Sequence, residues 1–451
     1  MLRGRGTARN TALVLTLLVL IVAGGLGFLS YELNSITTST TSQPSTPIGG
    51  GQIQHVLLIV LEDMQFPGGS NPQYAEPGAY TFQKNAPYLY GLISQYAFAG
   101  NYQSVSSPSL GAYMILTGGT QCYPAGPADG NAAHCLNTDS YPENDAAPND
   151  TRLPSGLQTE DVQPSTVKSI AYLFDQKGLT WRAYEEDMPY PCYAFDYHSE
   201  SAQPGAEYSI NHNPFPYYET VYGNGSYPAT NVYPATVSSD GGDAYCQQHV
   251  LPFTSTPTWN GETLTRDLSN GGAGMPNFAF ITPDEIHIGG DYGNITSTDT
   301  WARSFLTPLL SDSAFMAHAV ILVTFDDTGS PCCGQLYTIA LGPASTVKLG
   351  FTSSVKYDHY SLLATIEDIF SLGNLGRGDA SATPMSDLFI AASASSAPAG
   401  DHSLGTGVAV VTSTMGVISR PQTHHREVPA AHRRSGPTAR PANKPTSGSK
   451  L

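Results

Sequence analysis

One apolar stretch constrains the fold of this chain more than any other feature. Segment 55–63 reads HVLLIVLED, in which six aliphatic residues in a row are followed by two acids. Because apolar and polar residues do not alternate, neither face of a strand built from this segment can lie in water. Such a strand is typical of a parallel sheet that helices cover on both faces. Ligands bind beyond the carboxyl ends of these strands, so Glu62 and Asp63 are expected where the chemistry takes place.

A second apolar run ends in the same way. Segment 319–327 reads AVILVTFDD and finishes on Asp326 and Asp327. If the two strands are parallel neighbours, four carboxyl groups meet at one edge and repel one another in a low-dielectric cleft. A divalent cation would relieve this repulsion, since hard cations take oxygen ligands. The alternative is that each acidic pair is only the solvated start of a loop, but the repetition favours the cation.

Strand-like and helix-like patterns alternate along the body of the chain. This order predicts a three-layer α/β/α domain around a mostly parallel central sheet. An aromatic, Pro-rich stretch at about 186–262 is expected to be an irregular insertion that lines the cleft or forms a lid. Helices are predicted over 87–93, 106–118, 165–177 and 299–311 and from Asp358 onward, and further strands over 179–184, 275–284 and 336–343.

Changes in composition divide the chain into four parts. The first part combines arginines with a long apolar run, which predicts a membrane anchor or, alternatively, a cleaved signal segment. Either reading places the body at the extracellular face of the membrane or in the secreted fraction. The expected parts are the anchor or signal (1–30), a Ser/Thr/Pro/Gly linker (31–52), the catalytic domain (53–395) and a basic low-complexity tail expected to be disordered (396–451).

The charge of the chain bears on its partners. The formal net charge is −17, and basic residues are concentrated near the two ends, so the body between them is more acidic still. A body of this charge repels nucleic acid and anionic membrane surfaces. No nucleic-acid partner is therefore expected, and contact with a membrane is expected through the N-terminal segment.

Export would make the six cysteines candidates for disulfide bonds. Cys122 and Cys135 flank a Pro/Gly-rich loop, and Cys192 and Cys246 bracket the Tyr-rich stretch. The adjacent cysteines at 332–333 either bond to each other or pair elsewhere.

A serine near a helix start is the candidate nucleophile. Segment 106–118, SSPSLGAYMILTG, has the pattern of a helix that ends at Gly118 and Gly119. Ser109 would lie in the first turn, where free N–H groups and a partial positive charge favour an anion. Next to a cation, such a serine is suited to hold and attack a phosphoryl group. The alternative is that Ser109 only caps the helix.

Seven segments, in this order, resemble blocks of a known family. It is the phosphoesterase family of bacterial and fungal acid phosphatases and phospholipase C-type enzymes, whose fold belongs to the alkaline phosphatase-like superfamily. The segments are spread over about residues 53–390 and read VLLIVLEDMQF, SSPSLGAYMILTGG, GLTWRAYEEDMP, NHNPF, MPNFAFITPD, ILVTFDDTG and YDHYSLLATIEDIF.

The resemblance implies a role for each candidate residue. It matches Ser109 to the nucleophile and His212 and His287 to catalytic histidines near the phosphate. It also matches His359 to the histidine of the final helix. His359, and Asp291 in the loop that carries His287, are the expected substrate contacts. The expected cofactor is one main divalent metal, Mg²⁺, Mn²⁺ or Ca²⁺ from its oxygen ligands, with zinc as an alternative. The implied metal ligands are the four strand-end acids, Glu62, Asp63, Asp326 and Asp327.

The chain departs from the family pattern at three places. Asp63 stands where the family generally has Asn, and Ala112 stands where many members have Asn. Ile288 and Gly290 stand where an Asp and a His are often found, which makes a second metal site doubtful.

The function implied is that of an extracytoplasmic metal-dependent phosphoric ester hydrolase. An acid phosphatase-type phosphomonoesterase with a phosphoserine intermediate is the first expectation. The alternatives are a phospholipase C-type phosphodiesterase and, from another class, a non-catalytic cell-surface binding protein that retains the fold.

Overall fold

The computed structural model describes residues 48–68, 81–123, 134–135, 163–197, 207–223, 244–290, 294–329 and 333–391. They belong to the first of the two units into which the chain divides, Met1–Ala394. The expected anchor or signal, most of the linker and the basic tail lie outside these ranges. Of the described helices, none combines the length and the apolar character needed to cross a bilayer.

A single large sheet forms the centre of the domain. The described strands are β1 (His55–Leu61), β2 (Ala97–Ala99), β3 (Cys122–Tyr123), β4 (His134–Cys135), β5 (Trp181–Glu185), β6 (Val250–Pro252), β7 (Phe278–Thr282), β8 (Ala319–Phe325), β9 (Thr338–Leu341) and β10 (Thr352–Ser353). Eight of them form one sheet in the order β10-β2-β9-β8-β1-β7-β5-β6, while β3 and β4 pair with each other. Only β9 runs antiparallel to its neighbours in the eight-stranded sheet, so the mostly parallel sheet is confirmed.

Helices pack around this sheet. They are α1 (Phe82–Asn85), α2 (Pro87–Leu92), α3 (Ser109–Gly118), α4 (Ile170–Lys177), α5 (Glu219–Tyr222), α6 (Ala244–His249), α7 (Leu264–Gly272), α8 (Ile295–Ser311), α9 (Ser313–Met316) and α10 (His359–Phe370). Helix α3 packs against α10, and α2 packs against α8. The apolar residues of β1 from Val56 to Leu61 have no exposed surface, as a strand covered on both faces requires.

The register of the two central strands brings their acidic ends together. Strands β1 and β8 are adjacent and parallel, and Leu61 lies opposite Phe325. Glu62 and Asp326, the next residue of each strand, therefore leave the sheet at the same level. The prediction that two segments far apart in the chain meet at one sheet edge is confirmed.

Two local expectations need correction. The helix expected over 165–177 begins only at Ile170, because Ser169 is extended and the preceding residues form a turn in which Val167 bonds to Pro164. The aromatic-rich stretch at about 186–262, expected to be irregular, also contains a regular element. It supplies β6, which pairs with β5 at the edge of the sheet.

Several cysteines in the described part of the chain form disulfide bonds. The predicted Cys192–Cys246 bond is confirmed, with its Cα atoms 5.6 Å apart. Cys122 is disulfide-bonded and lies directly opposite Cys135 in the β3–β4 ladder. Cys333 is also disulfide-bonded, whereas its neighbour at 332 lies outside the described residues.

A buried acid on α10 leads to a stability prediction. Burial, together with the neighbouring Asp379, raises the pKa of Glu367 from an ordinary 4.5 to about 9. Its Oε1 atom has no hydrogen-bond partner within the described part of the chain. A raised folded-state pKa means that the folded state favours the protonated form. The associated stability is complete below about pH 4.5 and is lost as the pH rises towards 9.

The substitution Glu367→Gln, which cannot ionise, should therefore stabilise the protein at pH 8 by on the order of 1–3 kcal/mol and have little effect near pH 4.5. Urea unfolding at the two pH values measures this difference. An equal effect at both would contradict the assignment of a buried, proton-binding carboxyl.

Candidate active site

The end of β1 places two carboxyl groups at the sheet edge. Glu62 is only 2% exposed, and its backbone N–H donates to the Ile288 carbonyl at 3.0 Å. Asp63 has a φ of 57°, in the left-handed region that residues other than glycine seldom adopt. This turn directs the Asp63 N–H to Asp326 Oδ1, 3.1 Å away. Backbone strain of this kind is concentrated at functional sites.

The end of β8 supplies the other two carboxyl groups, both fully buried. Asp326 Oδ1 accepts hydrogen bonds from the backbone N–H groups of Asp63 and Asp327. Asp327 Oδ1 accepts from the Gly329 N–H at 2.5 Å. The second carboxylate oxygen of Asp326, Oδ2, is buried and has no partner among the described residues. Ligand atoms of Asp63, Asp326 and Asp327 lie within 4.8 Å of one another.

Helix α3 brings the candidate nucleophile to this cluster. Pro108 occupies the N-cap position, so Ser109 is the first helical residue and the alternative of a simple cap is wrong. Ser109 Oγ donates to Glu62 Oε1 at 3.2 Å, and the same side chain interacts with Asp326. The structure thus joins the serine to acids from both strands.

His212 contacts the cluster from the aromatic-rich segment. It ends a short 3₁₀ helix, Ile210–His212, and is buried. Its Nε2 atom lies 2.7 Å from Glu62 Oε1, the oxygen that also accepts from Ser109. Its Nδ1 atom lies 3.0 Å from Glu285 Oε1. Sequence reasoning did not identify Glu285, and the available signal was an acid just beyond the end of β7.

Burial and mutual repulsion raise the pKa of Glu62, Asp326 and Asp327. Burial raises the pKa of Glu62 to about 8, with His212 opposing the shift and Glu285 and Asp63 adding to it. Burial, followed by Glu62 and Asp63, raises the pKa of Asp326 well above its usual range.

Burial and neighbouring charges also shift the pKa values of Asp327 and His212. Burial and the neighbouring Asp326 raise the pKa of Asp327 to about 7. Burial lowers the pKa of His212, but Glu62 and Glu285 raise it by more, so the net shift is well upward. These shifts favour the protonated form of the acids, and a divalent cation bound there would replace protons in offsetting the negative charge.

His359 hydrogen-bonds to the backbone at the end of β8. It is fully buried, and its Nε2 hydrogen-bonds to the Asp326 carbonyl oxygen. Since a carbonyl only accepts, Nε2 carries the proton, and Nδ1 accepts from the Tyr102 hydroxyl at 2.8 Å. Burial lowers the pKa of His359 to about 4, which fits this neutral tautomer. Both ring nitrogens are engaged, so His359 is suited to hold the end of β8. Its expected substrate contact stays a prediction.

His287 belongs to a different cluster. Its Nδ1 lies 2.9 Å from Asp284 Oδ1 and 3.1 Å from Glu186 Oε2, and its side chain is 35% exposed. Burial lowers the pKa of His287, but Asp284 and Glu186 raise it by more, to about 10. Its catalytic role stays a prediction. Asp291 lies outside the described residues, and its expected substrate contact also stays a prediction.

A glycine pair explains one departure from the family pattern. Gly289 has a φ of 130°, and a Cβ atom there would lie 2.8 Å from the Glu62 carbonyl oxygen. A Cβ at Gly290 would lie 2.5 Å from Glu62 Oε2. A side chain at position 290 would collide with Glu62 as it is placed here. The glycine and the position of Glu62 therefore depend on each other.

The donor set fits a hard divalent cation. Carboxylate oxygens from Asp63, Asp326 and Asp327 converge, and the unpartnered Oδ2 of Asp326 is the kind of buried atom that a cation satisfies. Glu62 and Ser109 adjoin them through the contacts given above. Oxygen ligation suits Mg²⁺, Mn²⁺ or Ca²⁺, and these residues do not select among the three or exclude zinc.

The fold and the site define a class of α/β protein with a serine and a carboxylate cluster at the C-terminal edge of a mostly parallel sheet. Within this class the chain belongs to the phosphoesterase family, whose model matches residues 62–373. The resemblance drawn from the sequence is confirmed.

Curated relatives carry the name acid phosphatase. The protein from Aspergillus fumigatus is 31% identical over 222 residues, covering 49% of this chain and 43% of the relative. The protein from Aspergillus niger is 32% identical over 231 residues, covering 50% of this chain and 48% of the relative. The chain thus matches rather less than half the length of either relative.

Solved structures with a similar fold are distant. The lipoteichoic acid synthase LtaP from Listeria monocytogenes has a TM-score of 0.40 and 10% identity, covering 78% of this chain and 82% of that one. An alkaline phosphatase superfamily protein from Vibrio parahaemolyticus also has a TM-score of 0.40 and 10% identity, with 76% and 75% coverage.

Cation binding should stabilise the folded protein. A cation at 100 times its dissociation constant adds about 2.7 kcal/mol, which appears as a rise in Tm. Thermal unfolding with added Mg²⁺, Mn²⁺, Ca²⁺ or Zn²⁺ measures this rise, and Asp326→Asn should remove most of it. Asp387→Asn is a matched control, since that carboxylate accepts from Tyr357 and Ser353 instead. A full rise in the Asp326→Asn variant would contradict the proposed ligand set.

Proposed function

We propose that this protein is an extracytoplasmic phosphoric ester hydrolase of the acid phosphatase type, acting on phosphomonoesters through a serine nucleophile. The observation that carries the proposal is the 3.2 Å contact between Ser109 Oγ and Glu62 Oε1, inside a cluster that also contains Asp326. Membership of the phosphoesterase family and the acid phosphatase relatives support it.

Glu62, Asp63, Asp326 and Asp327 would hold the divalent cation. A cation bound there neutralises phosphoryl oxygens and lowers the pKa of a nearby hydroxyl. Ser109, at the first turn of α3, adds the free backbone N–H groups of a helix N-terminus to the phosphate-binding surface.

The reaction of the proposed enzyme has two halves. In the first, Ser109 Oγ attacks phosphorus in line, and the bond to the leaving oxygen breaks as the Ser109–phosphorus bond forms. Glu62 Oε1 already accepts the hydrogen bond of the hydroxyl and is placed to take its proton. His212 Nε2 gives a proton to the leaving oxygen. In the second half, water attacks the phosphoserine and gives a proton to His212. The bond between Ser109 Oγ and phosphorus breaks, Glu62 returns its proton to Ser109 Oγ, and phosphate departs.

The proposed location is outside the cytoplasm. The arginine-containing apolar segment within residues 1–30 supports either an anchor at the extracellular face of the membrane or a secretory signal. The Cys192–Cys246 disulfide is in keeping with an oxidising compartment. The partner expected there is a phosphate ester, with membrane contact only through the N-terminal segment.

The substitution Ser109→Ala tests the nucleophile. Turnover of a chromogenic phosphomonoester should fall by at least about 10³-fold, because no other group takes over the covalent step. Ser169→Ala is a matched control, since Ser169 is equally buried and its Oγ has no partner among the described residues. That control should keep its activity.

Several outcomes would count against the proposal. Undiminished turnover in Ser109→Ala would reject the nucleophile. A preference for a phosphocholine diester over the monoester would favour the phospholipase C-type alternative. Absence of turnover on any ester, with and without added metals, would favour a non-catalytic binding protein.

A further inference from the structure

We propose that a cavity beyond the ends of β5 and β6 binds a small organic cation, an alkylated ammonium group. The cavity has a volume of about 410 Å³. This volume lies within the range of roughly 300–1,000 Å³ that small-molecule sites occupy. Its walls include three tyrosines, two acids and a loop, and we call it the tyrosine cavity: Tyr190, Tyr193, Tyr197, Asp187, Glu207 and residues 254–258. Of the described residues, none proposed for catalysis or for the metal lines this cavity, so the inference does not depend on the proposed function.

The fold places the tyrosine cavity where α/β proteins bind ligands. Strands β5 and β6 run parallel, and their last residues, Glu185 and Pro252, lie opposite each other. The segments that follow the two strands therefore leave the sheet side by side at its carboxyl edge. The hydroxyls of Thr256 and Thr258 both donate to the Pro189 carbonyl, at 2.6 and 2.8 Å, and so join these segments.

The three tyrosine rings stand at steep angles to one another and form a corner. The ring centroid of Tyr193 lies 5.0 Å from that of Tyr190, at 72°, and 6.1 Å from that of Tyr197, at 87°. The Tyr208 hydroxyl donates to the Tyr193 carbonyl at 2.8 Å, and the Tyr197 N–H donates to the Tyr208 carbonyl at 2.9 Å. Because the faces of aromatic rings attract cations, several rings around one small space suit an alkylated ammonium group.

Two carboxyl groups line the same space. Glu207 is buried, whereas Asp187 is exposed. Burial and the charges of Glu207 and Asp187 raise the pKa of the Tyr197 hydroxyl, so both acids lie close to this ring. No described residue that lines the cavity is basic. A cation held against the tyrosine rings would therefore have carboxylates beside it.

The backbone at Asp187 is held in an unusual conformation. Its φ of 56° lies in the left-handed region that residues other than glycine seldom adopt. Partial burial and the neighbouring acids Asp284 and Glu186 raise the pKa of Asp187 to about 7. Strained residues are concentrated at functional sites and ligand clamps, and a bound cation would relieve the repulsion among these acids.

The lining of the cavity favours an organic cation over other ligands. A metal ion needs several converging ligand atoms, and neither Asp187 nor Glu207 belongs to a group of described residues in which such atoms converge. An anion would be repelled by the two carboxylates, and a neutral apolar molecule would leave them uncompensated. An alkylated ammonium group combines a positive charge with an apolar surface and so matches both the acids and the rings.

The test compares two small molecules of nearly the same shape. Tetramethylammonium and tert-butanol differ chiefly in charge, and NMR titration of their methyl signals against the full chain gives each Kd. The titration is made at pH 8, above the raised pKa of Asp187, with sodium chloride at matched ionic strength as the reference. We expect saturable binding of tetramethylammonium that is at least about 10-fold tighter than that of tert-butanol.

Three substitutions assign the binding to the tyrosine cavity. Asp187→Asn and Glu207→Gln each remove one charge with little change of shape, and Asn tolerates the left-handed backbone at position 187. The double variant should weaken tetramethylammonium binding by about 10-fold or more, and each single variant by about 3-fold, so either single variant serves if the double variant does not fold. Tyr197→Leu, which removes one aromatic face, should weaken it by about 2–5-fold.

Two matched controls make the same changes outside the cavity. Glu262 is exposed and close in the chain to residues 254–258 but does not line the cavity, so Glu262→Gln should keep full affinity. Tyr90 is an exposed tyrosine elsewhere, and Tyr90→Leu should also keep it. Equal affinity for the two probes, or no saturable binding of tetramethylammonium, would overturn the proposal. An equal loss in Glu262→Gln and the double variant, or full affinity in Tyr197→Leu, would overturn it as well.

Discussion

Repulsion among carboxylates at one sheet edge is the constraint around which the rest of this structure is arranged. Strands β1 and β8 are parallel neighbours in register, so acids that follow each strand must meet. In a buried setting, neighbouring negative charges are costly unless protons, hydrogen-bond donors or a cation compensate for them. Backbone N–H groups at Asp63, Asp327 and Gly329 supply part of this compensation.

The remaining compensation comes from elements distant in the chain. His212 and Ser109 reach the Glu62 carboxylate from a 3₁₀ helix and from the start of α3. His359, at the start of α10, bonds instead to the Asp326 backbone carbonyl and holds the end of β8 without offsetting carboxylate charge. The proposed catalytic arrangement is built from groups in contact with these acids, and the glycine at 290 leaves the space that Glu62 occupies.

The sequence was sufficient for the parts of the fold that local patterns determine. Unbroken apolar runs identified β1 and β8, and their common acidic endings correctly predicted that the two acidic pairs leave the sheet side by side. Asp63, Asp326 and Asp327 form one cluster, and Glu62 adjoins it. Helix α3 and its end at Gly119 followed from local signals. Contacts that depend on loop paths did not follow. The position of Glu285 beside His212 depends on the turn after β7, and the position of His359 depends on how α10 packs against the end of β8.

Two other differences have the same origin. The sequence suggested that β6 was part of an irregular insertion. A strand of three residues is too short to show a recognisable alternation of apolar and polar residues, and its pairing with β5 joins segments that are far apart in the chain. Helix α4 begins at Ile170, five residues after the predicted start, because the preceding residues form a turn instead. The sequence did not reveal this, since Val167 fits the apolar spacing of the helix.

The most direct test of the central claim is the position of a bound cation. Crystals of the protein soaked in Mn²⁺ would reveal the ion by anomalous scattering. The account predicts a peak at about 2.0–2.6 Å from carboxylate oxygens of Asp326 and Asp327, with Ser109 alongside. A peak confined to either of the other two candidate groups among the described residues, Glu186 with Asp284 and His287 or Glu62 with His212 and Glu285, would contradict it.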